Sequence, residues 1–170
     1  MARLGWAVVA VGLIGGVVAA VIVATVMATS DPRCADQLKA GEAKVRTSRW
    51  EPAGELPGLG RYVEIHWQVR ALGNPCSRSV PGPTDRTYQG VVRLRPEDAR
   101  SLAARYDWRP VAAASESEPQ VWPALAKFVP GDVRWLHSDA YDQAPPQSED
   151  SRRLYLDPDR ALALFDLTNA

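Results

Sequence analysis

Hydrophobic positions along the chain follow two different patterns. From Leu4 to Met27 no charged side chain interrupts a run of Leu, Val, Ile, Ala and Gly, whereas beyond it apolar residues recur only at short periods. At 1.5 Å per helical residue, about 24 residues cover roughly 36 Å, enough to cross a hydrocarbon core of about 30 Å with some tilt. The run also exceeds the roughly 7–15 apolar residues of a signal-peptide core. It predicts one membrane-spanning helix that stays on the protein. Removal at the small residues around Val26-Met27-Ala28 is the alternative.

Asp31-Pro32 stops the span, because the residue before a proline is pushed out of the helical region. Pro32 then opens a new helix with Asp31 as its cap, and Ala35, Leu38, Glu42 and Val45 fall near one face. The Gly and Pro residues from Thr47 to Gly60, around Trp50, predict a connecting loop. Arg61 to Ala71 has the clearest alternation in the chain. Val63, Ile65, Trp67, Val69 and Ala71 interleave with Tyr62, Glu64, His66, Gln68 and Arg70, the pattern of a half-buried strand. Gly73-Asn74-Pro75 ends it, and Cys76 to Asp85 reads as a loop. Thr87 to Leu94 is a second strand, in which Gly90 predicts a bulge or the close approach of another backbone.

Pro96-Glu97-Asp98 is a strong helix start, with Ala99, Leu102, Ala103 and Tyr106 as the inner face. Trp108 to Pro119 reads as a polar linker, and Trp122 to Phe128 as a short helical turn closed by Pro130-Gly131. Val133, Trp135 and His137 alternate with Arg134, Leu136 and Ser138 as a third strand. Gln143 to Ser151 is a surface loop. Leu154 to Leu156 and Ala161 to Leu167 flank Asp157-Pro158-Asp159-Arg160, whose proline suits a type I turn and predicts a hairpin. A helix from Arg160 to Leu167 is the alternative. The order predicts an α+β fold: an antiparallel sheet of about five strands with helices on one face. The organisation follows as an anchor over 1–29, a membrane-proximal helix and linker over 30–60, and the α+β domain over 61–170.

Charge narrows the function classes. The 170 residues carry 20 basic and 20 acidic side chains, so there is no electrostatic footprint for nucleic acid or anionic lipid. Lys occurs only at 39, 44 and 127, a bias of base composition rather than of function. The positive-inside rule is divided, since Arg3 precedes the span while Arg33, Lys39, Lys44 and Arg46 follow it. The short basic N-terminus favours a signal anchor with the domain outside. Cys34 and Cys76, the two cysteines, agree with that side. In an oxidising compartment they read as a disulfide, and in the cytosol as two unrelated thiols. Gly12, Gly16, Ala20 and Ala24 place small side chains in one stripe, where a second span could approach as a homodimer. Any Ala/Gly-rich span shows such a stripe by chance.

No motif names a reaction. No Ser, Cys or Thr sits in a nucleophile elbow, and the glycines form no phosphate loop. His66 and His137 both fall on predicted strands. Were those strands neighbours, Glu64, His66, His137 and Asp139 would make an acid–base or metal cluster, although no recognised ligand spacing is present. Hydrogen-bonded or surface histidines are the plainer reading, so no catalytic residue, metal ligand or cofactor is assigned. Tryptophans at 50, 67, 108, 122 and 135 are many for such a domain, and exposed ones would stack on cell-wall sugars or anchor a protein interface. Trp67 and Trp135 read as core, and Trp108 as the exposed one. The polar side of the first strand, Tyr62, Glu64, His66, Gln68 and Arg70, is the candidate binding surface, with a covering helix as the structural alternative.

Several stretches carry a resemblance. Ile65-His66-Trp67, Ala71-Leu72-Gly73-Asn74-Pro75, Pro81-Gly82-Pro83-Thr84-Asp85, Tyr88-Gln89-Gly90-Val91-Val92 and Leu94-Arg95-Pro96-Glu97-Asp98-Ala99 are one group. Trp135-Leu136-His137-Ser138 and Leu154-Tyr155-Leu156-Asp157 extend it. Together they resemble small membrane-anchored proteins of high-GC actinobacteria that carry no assigned function. The resemblance implies location and transfers no catalytic residue. The expectation is therefore a single-pass protein of the cytoplasmic membrane, anchored in the bilayer through Leu4 to Met27. Its extracytoplasmic domain would bind or scaffold an envelope protein or cell-wall polymer. The rival is a cell-envelope hydrolase or metal-dependent enzyme using His66 and His137.

Overall fold

The computed structural model describes residues 32–48, 56–59, 62–76, 85–111, 119–145 and 151–169. The expected span Leu4 to Met27 with its small-residue stripe, the cap Asp31 and Trp50 lie outside the described residues. So do parts of four expected loops, over 49–55 with 60, 77–84, 112–118 and 146–150. No helix among the described residues is long and apolar enough to cross a membrane.

Residues 32–38 and 74–76 belong to one compact unit, in which a disulfide joins Cys34 to Cys76. Helix α1, Pro32–Ala43, starts at Pro32 as expected and buries no side chain, in keeping with its weak apolar pattern. The remaining described residues, within 39–73 and 84–170, form the second unit.

The second unit is built on six antiparallel strands, one more than expected. They are β1 (Glu64–Ala71), β2 (Arg86–Arg93), β3 (Arg109–Pro110), β4 (Leu136–His137), β5 (Ser151–Asp157) and β6 (Leu162–Asn169), in the order β1-β2-β6-β5-β4-β3. The additional strand is β3. It lies in the expected linker and is too short to show an alternation. Its Pro110 lacks an amide proton, which suits the sheet edge it occupies. The expected third strand pairs only at Leu136 and His137. Between Asp157 and Leu162 the chain turns into the predicted hairpin, so the helical alternative is not taken. Buried Asp157 shapes this turn: its carboxylate accepts the Arg160 amide at 3.1 Å and the Arg134 amide at 2.9 Å.

Residues directly opposite in an antiparallel ladder share a face, so the register sorts the core into two layers. On one face Ile65, Val92, Ala163, Phe165, Leu154 and Leu156 meet Ala99 and Leu102 of helix α2 (Pro96–Arg105) and Tyr141 of the single turn α3 (Asp139–Asp142). On the other, Val91, Leu164 and Tyr155 meet Leu125 and the half-buried Trp122, Phe128, Val129 and Trp135. Helices α2 and α3 thus share one face, and the opposite face is covered by an irregular segment containing the 3-10 turn Ala126–Phe128. Covered on both sides, β5 and β6 need apolar residues at successive positions. That is why Leu154-Tyr155-Leu156 and Ala161 to Phe165 do not alternate.

Gly90 serves a different purpose from the expected bulge. The pairing of β2 with β1 and β6 runs through it unbroken, and the close neighbour is a side chain rather than a backbone. A Cβ at Gly90 would lie 2.5 Å from Cε1 and Cζ of Phe165 and 2.9 Å from Cβ of Trp67. The missing side chain leaves room for the phenyl ring. Gly90→Ala should cost about 1–3 kcal/mol through overpacking, read as a lowered urea midpoint, and an unchanged midpoint would show that the ring moves aside freely. The disulfide spans 42 residues of sequence. Replacing both cysteines by serine should cost about 4 kcal/mol by releasing the unfolded chain, measured by the same titration with and without reductant.

Candidate functional site

The register places Glu64, His66, Gln68 and Arg70 on the face that the irregular segment covers. Their environments change steadily along the strand. The Arg70 guanidinium lies 3.9 Å from the ring centroid of Trp122, so its charge rests on an indole face. Gln68 is buried, and its amide donates to the carbonyl of Glu42 at 2.8 Å. The Glu42 carboxylate in turn accepts the Ala71 amide at 2.8 Å, closing that part of the strand edge. Next along the edge, Arg46 and Trp67 exchange backbone bonds of 2.8 and 2.9 Å. The His66 ring is stacked on Phe128 with centroids 3.6 Å apart. Glu64 is half-exposed, while Tyr62, just before the strand, is half-buried and packs against the helix-side core layer. The covering layer is therefore loop and 3-10 turn rather than the helix weighed from sequence.

At the start of β1 the strand opens onto two clefts that share Glu64 and His66. One of about 420 Å³ includes Thr47, Tyr62, Val63 and Arg95 in its wall. The other, about 290 Å³, is bounded by Arg93, Lys127, Phe128, Val129 and Leu162. Val63 was expected to sit on the apolar side of the strand, but it precedes the paired residues and is 66% exposed beside the first cleft.

Hydrogen bonding fixes the chemistry of His66. Its Nε2 lies 2.7 Å from Oε1 of Glu64, while Nδ1 is buried with no partner among the described residues. A proton on Nδ1 would be a buried, unpaired donor, so the tautomer carries hydrogen on Nε2 and donates it to Glu64. One nitrogen is engaged and the other is shut away from solvent. The ring thus offers a stacking surface and orients a carboxylate, with no accessible lone pair toward either cleft.

His137 sits elsewhere. Strands β2, β6 and β5 separate β1 from β4, so His66 and His137 are on the order of 19 Å apart at about 4.8 Å per strand. The structure does not bring them together. Nε2 of His137 lies 2.8 Å from Asp142, whose other carboxylate oxygen accepts the Leu154 amide at 3.1 Å, and Nδ1 is 3.8 Å from Asp139. Burial pushes the Asp142 carboxyl up, and the bond from His137 opposes it. Arg152 donates to the carbonyls of Tyr141, Asp142 and Ala144, so this cluster fastens α3 to β5. Among the described residues no three His, Cys, Asp or Glu side chains converge as a metal cage.

Two features escaped the sequence reading. Trp135, expected in the core, is half-buried and lines a third cleft of about 470 Å³ with Arg134, Pro110, Pro119, Pro158 and Asp159. The prolines scattered through the flanking loops were the available signal. Trp108, expected to be exposed, is half-buried instead. Its indole donates to the Leu102 carbonyl at 3.0 Å, and its ring packs against Tyr106 and Tyr141. The second feature is buried Gln89. Its amide nitrogen donates to Asp166 at 2.7 Å and to the Gln120 carbonyl at 3.0 Å, and its oxygen accepts the Trp122 amide at 2.6 Å. These bonds pin the irregular segment to the sheet and place Trp122 over Arg70. Nothing in an alternating strand distinguishes such a glutamine from a solvated one.

Comparison with protein-family models, with curated proteins and with solved structures finds no match. The functional reading therefore rests on the geometry itself.

Burial raises the Asp166 carboxyl above its ordinary value, opposed by the Gln89 bond and by Arg153. The folded chain then holds this proton to higher pH than the unfolded chain, so its contribution to stability is lost as pH rises through that interval. Asp166→Asn keeps an oxygen for Gln89 and removes the titration. It should flatten the fall in melting temperature between about pH 4 and pH 7, with stability at neutral pH equal or higher. Thermal melts across that range check this, and an unaltered slope would assign the effect to other groups.

Proposed function

We propose that this chain is a membrane-tethered protein whose folded part works outside the cytoplasmic membrane as a binding or scaffolding module. The observation that carries the reading is the Cys34–Cys76 disulfide, since such bonds persist in oxidising compartments and are rare in the cytosol. It agrees with the uncharged run Leu4 to Met27, which is long enough to anchor the chain in the bilayer. Binding is favoured over chemistry because His66 has no accessible lone pair and lies far from His137.

The binding surface is the start of β1, where Tyr62, Glu64 and His66 meet the two clefts and Val63 stands out as exposed apolar surface. The partner class is an envelope protein or a cell-wall polymer. Gln68 and Arg70, engaged with Glu42 and Trp122, support this surface from behind.

A reporter active only in the cytosol, fused after Ala170, should stay silent, and one active only in oxidising compartments should work. The reverse pattern overturns the location. For the binding half, a photo-reactive residue at position 63 should give a discrete adduct in the native envelope, whereas one at exposed Ala104 on α2 should not. Equal adducts, or none at position 63, would place the partner surface elsewhere.

A further inference from the structure

We propose that the 290 Å³ cleft beside Glu64 and His66 is a site for a small organic carboxylate with an apolar body. The proposal rests on reading the start of β1 as a binding surface and adds the chemical class of what binds there.

Charge points to an anion. Among the described residues lining the cleft, Arg93 and Lys127 are cations and Glu64 is the acid, which leaves one positive charge in excess among these three side chains. Glu64 is already committed, since its Oε1 holds His66 at 2.7 Å. Its other oxygen forms an ion pair with Nε of Arg93 at 3.6 Å, longer than a hydrogen bond and made at one edge of the guanidinium. The Arg93 side chain is 60% exposed, so its guanidinium fork remains open to a second carboxylate in the bidentate geometry that this group favours. Lys127 rests against the Phe128 ring, its Nζ 5.0 Å from the centroid, with no carboxylate in ion-pair range among the described residues.

The floor of the cleft selects within the anions. Val91 and Leu162 are buried beneath it, and Phe128, Val129 and Pro130 form its wall. Such a surface gains by covering a hydrocarbon group, and the volume suits one small molecule or one terminal residue. A single excess positive charge matches a monoanion. A phosphate dianion would bring a second negative charge against Glu64. Two sources share the favoured chemistry: a free short-chain acid, and the C-terminal residue of a peptide.

The test is to titrate the full chain, in lipid nanodiscs with empty nanodiscs as control, with hexanoate, N-acetyl-leucine and N-acetyl-leucinamide, following backbone amide signals by NMR. The acids should move the signals of Val91, Arg93, Lys127 and Phe128, and the uncharged amide should not. Stronger binding of N-acetyl-leucine identifies a peptide terminus, and equal or stronger binding of hexanoate a free acid. Arg93→Gln and Lys127→Gln should each weaken binding by roughly fivefold with the melting temperature unchanged, as expected for a charge-assisted contact at an exposed side chain. The site is overturned if the amide binds as well as the acids, if these four residues do not respond, or if both variants bind undiminished. That failure is separable from failure of the broader reading, because an adduct at position 63 would persist without any preference for acid over amide.

Discussion

Phe165 lies on a strand whose two faces are both covered, and its ring fills the core on one of them. Its ring occupies the space left by Gly90, with Leu154 directly opposite on β5, and Ala163 and Leu167 flank it on the same face of β6. Leu162 and Leu164 project to the other side, into the second core layer. Because β6 lies between β2 and β5, displacement of this strand would disturb both layers and both halves of the sheet. The helices α2 and α3 and the irregular segment are positioned by it. The two-residue strands β3 and β4 complete the sheet beyond β5, where pairing is least extensive.

The second layer is held differently from the first. Helices α2 and α3 bring their own hydrogen-bonded backbone to one face. The irregular segment that covers the other has such bonds only in short turns around Trp122 to Val133, and it is tied to the sheet by buried polar side chains on the strands. Gln89 binds it at Gln120 and Trp122, and Asp157 binds the amide of Arg134. A buried polar group with satisfied partners orients what it touches, and one left unpaired is costly. This explains why Gln89 and Asp157 sit inside strands that otherwise demand apolar residues.

The candidate site inherits its character from that arrangement. Where the irregular segment is pinned, the polar residues of β1 are covered and Arg70 and Gln68 become structural. Where it departs, at Phe128 to Pro130, the strand face opens and Glu64, His66, Arg93 and Lys127 surround a small concavity. The His66 ring marks the boundary between the two regimes, stacked on the covering layer and bonded to the exposed carboxylate. Under the proposed reading, a surface of this kind recognises by shape and charge.

Local rules were enough for the longer elements, though not for the two-residue β3 or the single turn α3. The alternation from Val63 to Ala71 announces β1, Pro96-Glu97-Asp98 announces α2, and Asp157-Pro158-Asp159-Arg160 announces the hairpin, because a strand's period, a helix's first turn and a tight turn are all encoded within a few residues. The cysteine pair was legible for a similar reason, since only two exist and either they pair or they do not. Strand order was not legible. The pairing of β2 with β6 joins residues between 69 (Arg93 with Leu162) and 83 (Arg86 with Asn169) positions apart, and that order decides that His66 and His137 stay separate while Glu64, Arg93 and Leu162 come side by side. The same holds for Gly90, Gln89 and Trp108, whose roles depend on a ring, an acid and a second ring, those of Phe165, Asp166 and Tyr141, brought from distant parts of the chain. Periodicity reports which side of a strand is polar. Only the tertiary structure decides whether water or another piece of the chain lies against that side, since covering it depends on contacts that no local period records.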